Sequence, residues 1–233
     1  MSQPSAFVMD LHQWCTENNA TPHCLPPSER HCHPRQITTD SREIPENGVY
    51  VPLQGVHFDG HDFITQSLSE GARLAFCQKD VYAAHAHDPQ WQTLPLILVE
   101  DTLKAFQSLA YSWRRKLNTP LIAITGSSGK TSTKEILKQV FARDFNVHAT
   151  PENWNNEIGV PKTLLMLTPE HTLCLIEMGM RGLGQIQELC EIAAPDYGVI
   201  TNIGPVHLGE LGSQAAIVQA KWELAEYLFS QAK

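Results

Sequence analysis

The chain has 233 residues, 42% hydrophobic and 18% charged, which suits one large or two small globular domains. Its formal net charge of −8 is spread evenly over both halves, without the basic block or basic amphipathic helix that nucleic acid or a membrane surface would require. The first residues, MSQPSAFVMD, lack the features of a signal peptide, and no apolar run is long enough for a membrane span, so we expect a cytoplasmic protein.

The first half of the chain predicts a small mixed α/β domain. Apolar periodicity indicates a short helix over residues 5–19, and a Pro- and His-rich connection follows over residues 20–35. Beyond it, the pattern predicts strands at 37–39, 48–53, 72–77 and 96–99 and helices at 62–69 and 102–116. The break at Asn118-Thr119-Pro120 predicts a domain boundary, with domains 1–117 and 118–233.

Residues 23–33, HCLPPSERHCH, combine two cysteines with three histidines, which are residue types that bind zinc. Seven residues separate Cys24 from Cys32, there is no CxxC knuckle, and the segment is rich in proline. This spacing favours a solvated loop over a zinc site. Cys77, Cys174 and Cys190 lie within apolar strand or helix patterns, which indicates that they are buried, reduced thiols.

The second half alternates strands with helices, which predicts a parallel sheet covered by helices on both faces. Strands are expected at 121–125, 147–149, 173–176 and 199–201, and helices at 130–142, from Pro161, at 184–193 and from Ser213. The helix at 130–142 carries the apolar residues Ile136, Leu137, Val140 and Phe141 on one side. The last helix has no glycine cap or following strand, so we expect either a longer natural protein or a small domain with a frayed end.

Residues 121–131, LIAITGSSGKT, predict a phosphate-binding loop between a strand and a helix. A glycine-rich loop lets backbone N–H groups point at phosphate oxygens, and a helix N-terminus adds partial positive charge. The expected nucleotide-binding residues are Gly126, Ser127, Ser128, Gly129, Lys130, Thr131 and Ser132. Lys130 would reach the β- and γ-phosphates, and the Thr131 hydroxyl would bind Mg²⁺. The generic pattern has a further glycine where this chain has Ile124, so an ordinary strand-to-helix turn is the alternative.

Further polar residues follow two other strands, and ligands bind at the carboxyl ends of strands in an open parallel sheet. Glu177 is a natural Mg²⁺ ligand or, alternatively, a helix-capping acid. Asn202 and His207 follow the last strand, where His207 is either a ligand or a residue of a turn. The amides of residues 153–156, NWNN, suit either a polar substrate or an Asn-rich turn.

Periodicity favours a solvated position for Lys221 on the last helix. If Lys221 faced the metal, Mg²⁺ about 4 Å away would repel its ammonium by roughly 8 kcal/mol at an effective dielectric of about 20. The side chain would then have to bind phosphate, lose its proton or become an anionic adduct such as a carbamate.

Seven segments that follow one another along the chain together resemble the Mur ligase family. They are TTDSR at 38–42, FDGHDF at 58–63, ITGSSGKTSTKE at 124–135, NWNNEIGVPKTLL at 153–165, IEMGMRGLGQI at 176–186, TNIGPVHLGELGS at 201–213 and AKWEL at 220–224. The EMGMRG and ITNIGPVHL forms look more like the branch that adds D-alanyl-D-alanine than like the branches that add earlier residues.

The resemblance implies an N-terminal domain that binds the UDP end of UDP-N-acetylmuramoyl-tripeptide, with Ser41 and Arg42 in the matching motif. It also implies an incomplete P-loop, parallel-sheet ATPase domain from about residue 119, with Asn153 and Asn156 lining the substrate and phosphate cleft. The implied reaction is ATP-driven amide formation through an acyl phosphate, with D-alanyl-D-alanine as the incoming amine.

The resemblance also implies roles for the chemical residues. Lys130 and Thr131 would serve ATP and Mg²⁺, and Glu177 and His207 would bind the metal ions. Lys221 matches a lysine that is carbamylated in some members of the family, and a carbamate would make it an anionic metal ligand. Lys130, Glu177, His207 and Lys221 are thus the expected catalytic residues.

Family members are much longer than this chain and carry further residues for adenine and ribose and a C-terminal domain. We therefore expect little or no ligase activity from this chain by itself. We also expect it to be a monomer. One alternative is a related amide ligase of the folylpolyglutamate or cyanophycin synthetase type, against which the DSR and DGHDF segments argue. The other alternative is a non-catalytic nucleotide-binding module.

Overall fold

The computed structural model describes residues 8–204 and 212–231 of the chain. The chain divides into two compact units, Met1–Leu109 and Ala110–Lys233, each with its own larger sheet. This division lies inside a helix, a few residues ahead of the boundary at residue 117 that the sequence predicts. The domain limits 1–117 and 118–233 remain a prediction.

The first unit begins with β1 and continues into helix α4, which extends beyond the division between the units. Its elements are β1 (Met9–Asp10), α1 (Leu11–Glu17), β2 (Thr21–His23), β3 (His31–Cys32), β4 (Ile37–Thr38), β5 (Gly48–Tyr50), α2 (Ile64–Ser69), β6 (Ala72–Gln78), α3 (Lys79–His85), β7 (Leu96–Val99) and α4 (Thr102–Lys116). The main sheet has the order β2-β7-β6-β5-β4, and all its pairs are parallel except β2 with β7. The Trp14 ring packs edge-on against Phe76 with ring centres 5.5 Å apart.

The stretch over residues 20–35, predicted as a connection, contains an edge strand of this sheet. Pro22 of β2 lies opposite Ile97 of β7 in the antiparallel pair. Proline has no N–H for a second neighbour, so it is tolerated at a sheet edge, and its presence obscured the strand in the sequence. Cys32 is buried, whereas Cys24 is exposed. Within residues 8–204 and 212–231, no cluster of three or more His, Cys, Asp or Glu could hold a metal ion.

The second unit has a four-stranded sheet in which every neighbouring pair is parallel, as the strand-helix alternation predicts. After α4 it contains β8 (Leu121–Thr125), α5 (Lys130–Phe141), β9 (Val147–Ala149), α6 (Gly159–Leu165), β10 (Leu173–Glu177), α7 (Gln185–Ala193), β11 (Tyr197–Ile200) and α8 (Gln214–Gln231). The strand order is β11-β8-β10-β9. No helix in the described parts of the chain is long and apolar enough to cross a bilayer.

Helix α5 turns only half of its apolar stripe toward the sheet. Leu137 and Phe141 pack against apolar residues of β8 and β10. Ile136 and Val140, which belong to the same apolar stripe, are 61% and 55% exposed. Successive helical residues point about 100° apart, so a helix that buries positions 137 and 141 leaves 136 and 140 at its side.

A buried arginine of α4 connects several chain segments next to the start of β8. The Arg114 guanidinium donates to the carbonyls of Leu117, Ala193 and Ala194 and to the carboxylate of Asp196 at 2.8–3.2 Å. The same Asp196 oxygen accepts the N–H of the first residue of β8 at 2.8 Å. One planar group thus joins the ends of α4 and α7 to the start of the strand that leads into the candidate site.

We expect Arg114→Ala to lower the free energy of unfolding by about 3 kcal/mol, because it leaves several carbonyls without their charged donor. The matched control is Arg115→Ala, which removes an exposed neighbour and should change stability by less than about 0.5 kcal/mol. Urea unfolding of both variants measures the difference, and equal losses would contradict the proposed importance of the Arg114 contacts.

Candidate active site

The candidate site lies where β8 and β10 end side by side. Their parallel register places Glu177, the last residue of β10, opposite Ile124 of β8. Strand β8 ends one residue later, and residues 126–129 lead directly into α5. The register therefore places the Glu177 carboxylate beside the first turn of the helix that the sequence predicts to bind phosphate.

The loop between β8 and α5 requires glycine at its first position. Gly126 has a φ of +148°, and a Cβ there would collide with the hydroxyl of Thr201. Gly129 has a φ of +75° and is the N-cap of α5, without a side chain to cap the helix. Because N–H groups of a first turn have no partner inside their own helix, this end of α5 suits an anion.

The segment after β11 braces this loop. The N–H of Ser127 donates to the Asn202 carbonyl at 3.0 Å, and the N–H of Ser128 donates to the Asn202 side chain at 3.1 Å. The Thr201 hydroxyl donates to the Ser128 carbonyl at 2.6 Å. Asn202 thus engages two N–H groups that the sequence predicts to turn toward phosphate, so both are already paired within the protein.

Glu177 is only 2% exposed, and both of its carboxylate oxygens accept hydrogen bonds. The Thr131 hydroxyl donates to Oε2 at 2.8 Å, and the Asn155 amide donates to Oε1 at 2.9 Å. The N–H of Glu177 donates to the Thr150 hydroxyl at 2.9 Å. These contacts join the end of β10 to α5 and to the loop after β9, so the carboxylate has little freedom to move.

The Thr131 hydroxyl and the Glu177 carboxylate are joined by a hydrogen bond, and both are oxygen donors of the kind that Mg²⁺ prefers. Neighbouring oxygens around Mg²⁺ with bonds of about 2.1 Å lie about 3.0 Å apart. The Thr131 hydroxyl and Glu177 Oε2 are 2.8 Å apart, and both are hard oxygen donors. Mg²⁺ usually binds one or two carboxylates and completes its shell with phosphate oxygens and water, which fits this pair.

A cavity of about 610 Å³ opens next to these residues. Its lining is mostly polar and charged: Lys130, Asn153, Asn155, Asn156, Glu157, Gly179, Met180, Arg181, Gln185, Glu188 and Leu189. The Lys130 ammonium donates to the Gly126 carbonyl at 3.0 Å, and the Asn156 side chain accepts the Gly159 N–H at 2.8 Å. The structure thus places three predicted site residues, Lys130, Asn153 and Asn156, in one cavity.

Lys221 is buried, with 2% exposure, so the solvated position favoured by its helical periodicity is wrong. Burial, and secondarily the charge of Lys130, lowers the pKa of the Lys221 amine to about 8. Glu223 on the same helix accepts the N–H groups of Gly184 and Gln187 at 2.6 and 3.0 Å. These bonds hold α8 against the start of α7.

The other predicted residues lie elsewhere. Ser41 and Arg42 belong to the first unit, where the Arg42 guanidinium binds the Asp40 carboxylate at 2.7–2.9 Å. Burial raises the pKa of the Tyr50 phenol to about 12, and a hydrogen bond with the Ser41 side chain acts against that rise. His207 lies outside the described residues.

Sequence reasoning missed two residues that shape the site, Asn155 and Lys134. Asn155 stands between the two asparagines that were selected, and nothing in the NWNN motif distinguishes which amide would reach Glu177. Lys134 follows the loop by one helical turn and is buried, although a lysine in a helix is ordinarily solvated. The KTSTKE segment was visible, but its last lysine carried no signal of burial.

Two family models match the chain. The model described as "Mur ligase family, catalytic domain" matches residues 33–114, and "Mur ligase middle domain" matches residues 124–232. A UDP-N-acetylmuramoyl-tripeptide–D-alanyl-D-alanine ligase of Synechocystis is 47% identical over 188 residues, and the ligase of the same name from Escherichia coli is 36% identical over 188 residues. Each alignment covers 81% of this chain and 40% of the relative.

Solved structures give the same result. A MurF crystal structure from Acinetobacter baumannii matches with a TM-score of 0.73 and 35% identity, over 82% of this chain and 41% of that one. A MurF ligase from Thermotoga maritima in complex with ADP matches with a TM-score of 0.73 and 32% identity, over 82% of this chain and 43% of that one. The chain spans about 40% of the length of the relatives it matches.

We expect Gly126→Ala to lower the free energy of unfolding by about 2–4 kcal/mol, because the new Cβ collides with Thr201 and the backbone is strained. Gly129→Ala is the matched control, since a Cβ there meets nothing within 4 Å. It should cost only about 1–2 kcal/mol, for the left-handed backbone alone. Urea unfolding compares the two, and a smaller loss for Gly126→Ala would contradict this account of the loop.

Lys221 predicts a specific pH dependence of stability. The folded amine releases its proton near pH 8, whereas the unfolded amine keeps its proton up to its ordinary pKa of 10.5. Below pH 8 both states are protonated and the folded state carries the full penalty of a buried charge. As the pH rises from 8 to 10.5 only the unfolded state holds the proton, so this penalty disappears and stability rises relative to a variant without the amine.

Lys221→Met should therefore be more stable than the parent at pH 7, by at most about 3 kcal/mol, and this advantage should vanish near pH 10–11. Lys138→Met, at an exposed position of α5, should show no such trend. Unfolding curves at pH 7 and pH 10 test this, and a difference that is independent of pH would show that the Lys221 amine titrates normally.

Proposed function

Because this chain belongs to the Mur ligase family, we propose that it is the UDP-substrate and phosphate-binding portion of an ATP-dependent ligase. The ligase would join D-alanyl-D-alanine to UDP-N-acetylmuramoyl-tripeptide in the synthesis of peptidoglycan precursors. The matching relatives carry the name of that activity, and this chain aligns with about 40% of their length. The cytoplasmic location and monomeric state expected from the sequence remain predictions.

The observation that carries the proposal is the contact between Thr131 and Glu177 at the edge of a polar cavity. A phosphate at the first turn of α5 would meet the helix N-terminus and the Lys130 ammonium. Thr131 and Glu177 would hold Mg²⁺ on the other side of the same phosphate. The asparagines at positions 153, 155 and 156 line the cavity from which an acceptor substrate could reach that phosphate.

In the proposed reaction, an oxygen of the tripeptide's terminal carboxylate attacks the γ-phosphorus of ATP, the bond to ADP breaks, and an acyl phosphate forms. The amine of D-alanyl-D-alanine then attacks the acyl carbon, an amide bond forms, and inorganic phosphate leaves while the amine loses a proton. Bound Mg²⁺ supplies positive charge that balances the phosphate oxygens. The chain's own residues mainly position the reactants, and Lys130 neutralises charge on the transferred group.

A modified Lys221 could supply a second anionic group at the site, in addition to Glu177. An amine with a pKa near 8 is partly neutral at physiological pH, and only the neutral amine reacts with CO₂ to form a carbamate. A carbamate would replace the repulsion between Lys221 and Lys130 by attraction and would offer oxygen ligands to a metal. We include this modification and the metal-binding role of His207 in the proposal.

For the first unit, we propose that Ser41 and Arg42 contact the UDP end of the substrate. The loop that carries them follows β4, at one edge of the main sheet, and Arg42 is held by Asp40 with its side chain largely exposed. A guanidinium fixed in this way keeps donors for a diphosphate.

We expect Lys130→Ala to reduce turnover by about 10²–10³-fold, because it removes a charge that stabilises the transferred phosphate. The matched control, Lys138→Ala, removes an exposed lysine two turns along the same helix and should leave turnover unchanged. Phosphate release by the product of the complete reading frame measures both variants, and undiminished turnover of Lys130→Ala would remove Lys130 from the mechanism.

The same assay tests the substrate assignment. Phosphate release should require UDP-N-acetylmuramoyl-tripeptide, Mg²⁺ and D-alanyl-D-alanine together. Release that is indifferent to the dipeptide but depends on glutamate and a folate, or on another amino acid, would indicate a related amide ligase. Nucleotide binding without release under any of these conditions would indicate a non-catalytic module.

A further inference from the structure

Lys134 is a buried cation that the proposed mechanism does not use. It is 1% exposed and is the one residue of α5 whose side chain is fully buried, among the described residues of that helix. Its ammonium donates to the Thr150 carbonyl at 2.7 Å and lies 3.0 Å from the Glu135 carboxylate, which is half exposed. Burying an ammonium is costly, so this position calls for a physical reason.

If the pairing of β9 with β10 continued beyond Ala149, the Thr150 carbonyl would accept one of its hydrogen bonds. The parallel ladder between β9 and β10 pairs Ala149 with Leu175, and the Thr150 N–H extends it by donating to the Leu175 carbonyl at 2.9 Å. The next bond of a parallel ladder would run from the Glu177 N–H to the Thr150 carbonyl. In this structure the Lys134 ammonium occupies that carbonyl, and the Glu177 N–H donates to the Thr150 hydroxyl instead.

We propose that Lys134 is a positioning residue for the Glu177 carboxylate. By holding the Thr150 carbonyl toward α5, Lys134 ends the ladder one bond early and leaves the Glu177 N–H to the Thr150 hydroxyl. This arrangement sets the carboxylate at 2.8 Å from the Thr131 hydroxyl and 2.9 Å from the Asn155 amide. Lys134 contacts the Thr150 carbonyl and the Glu135 carboxylate, so its effect on Glu177 passes through Thr150.

This inference rests on the proposed function only for its consequence in catalysis. Groups that orient a metal ligand typically change metal affinity by about 10–100-fold when they are removed. A buried lysine that merely filled space would be replaceable by an apolar side chain of similar length without such an effect. Lys134→Met separates the two cases because methionine keeps most of the volume and removes the donor.

The first experiment is a crystal structure of Lys134→Met, with Lys138→Met as the matched control on the exposed side of α5. In Lys134→Met we expect the Glu177 N–H to bond the Thr150 carbonyl and the contact between Thr131 and Glu177 to be lost. The control should retain that contact. A Glu177 carboxylate that stays within hydrogen-bond distance of Thr131 in Lys134→Met would overturn the proposal.

If Lys134→Met does not fold, Thr150→Val decides in its place, because it leaves Lys134 paired and removes only the hydroxyl that holds Glu177. The same displacement of the carboxylate from Thr131 is expected, and an unmoved carboxylate would overturn the proposal. Neither structure requires a nucleotide or a substrate, so this arm gives an answer even if the proposed function fails.

The second experiment measures the Mg²⁺ concentration for half-maximal phosphate release by the product of the complete reading frame. Lys134→Met and Thr150→Val should each raise it at least about tenfold, and the double variant should raise it no further, because both act through one contact. Lys138→Met should leave it unchanged. Additive effects of the two substitutions would contradict a shared route, whereas a parent protein without phosphate release would contradict the proposed function alone.

Discussion

The parallel pairing of β8 with β10 is the constraint on which the site depends. It fixes Glu177 opposite Ile124, so the carboxylate at the end of one strand meets the loop that begins at the end of its neighbour. A buried carboxylate needs donors, and the nearest hydroxyl is that of Thr131 in the first turn of α5. The sheet register brings the two elements together, and the hydrogen bonds around Glu177 then set the position of its carboxylate.

Charge in this unit is arranged so that a phosphate would relieve an existing repulsion. Burial lowers the pKa of the Lys221 amine, and the positive charge of Lys130 lowers it further. An anion at the start of α5 would reverse that effect and favour protonation of Lys221. By linkage, the protonation state of Lys221 must then influence phosphate affinity by the same free energy.

The sequence predicted the elements that rely on local pattern, and it failed where tertiary contacts decide. Strands β7, β8 and β9 have the predicted bounds, and β7 and β8 are mainly apolar runs between turn residues. Helix α3 was not predicted, since it buries no residue and so shows no apolar periodicity. Helical periodicity alone favoured solvent for Lys221, because no spacing rule indicates that a buried helix face will carry an amine, whereas the family resemblance selected it as a site residue.

The contact between α7 and α8 is another feature that no local pattern in the sequence indicates. Helix α7 begins at a glycine N-cap without a side chain, so its first N–H groups need an acceptor from elsewhere. Glu223 provides it from a helix almost forty residues further along, through two bonds of 2.6 and 3.0 Å. Since α7 also carries Gln185, Glu188 and Leu189 of the cavity wall, the Glu223 carboxylate helps to fix that wall. A change at Glu223 should therefore loosen the start of α7 and displace these three cavity residues together.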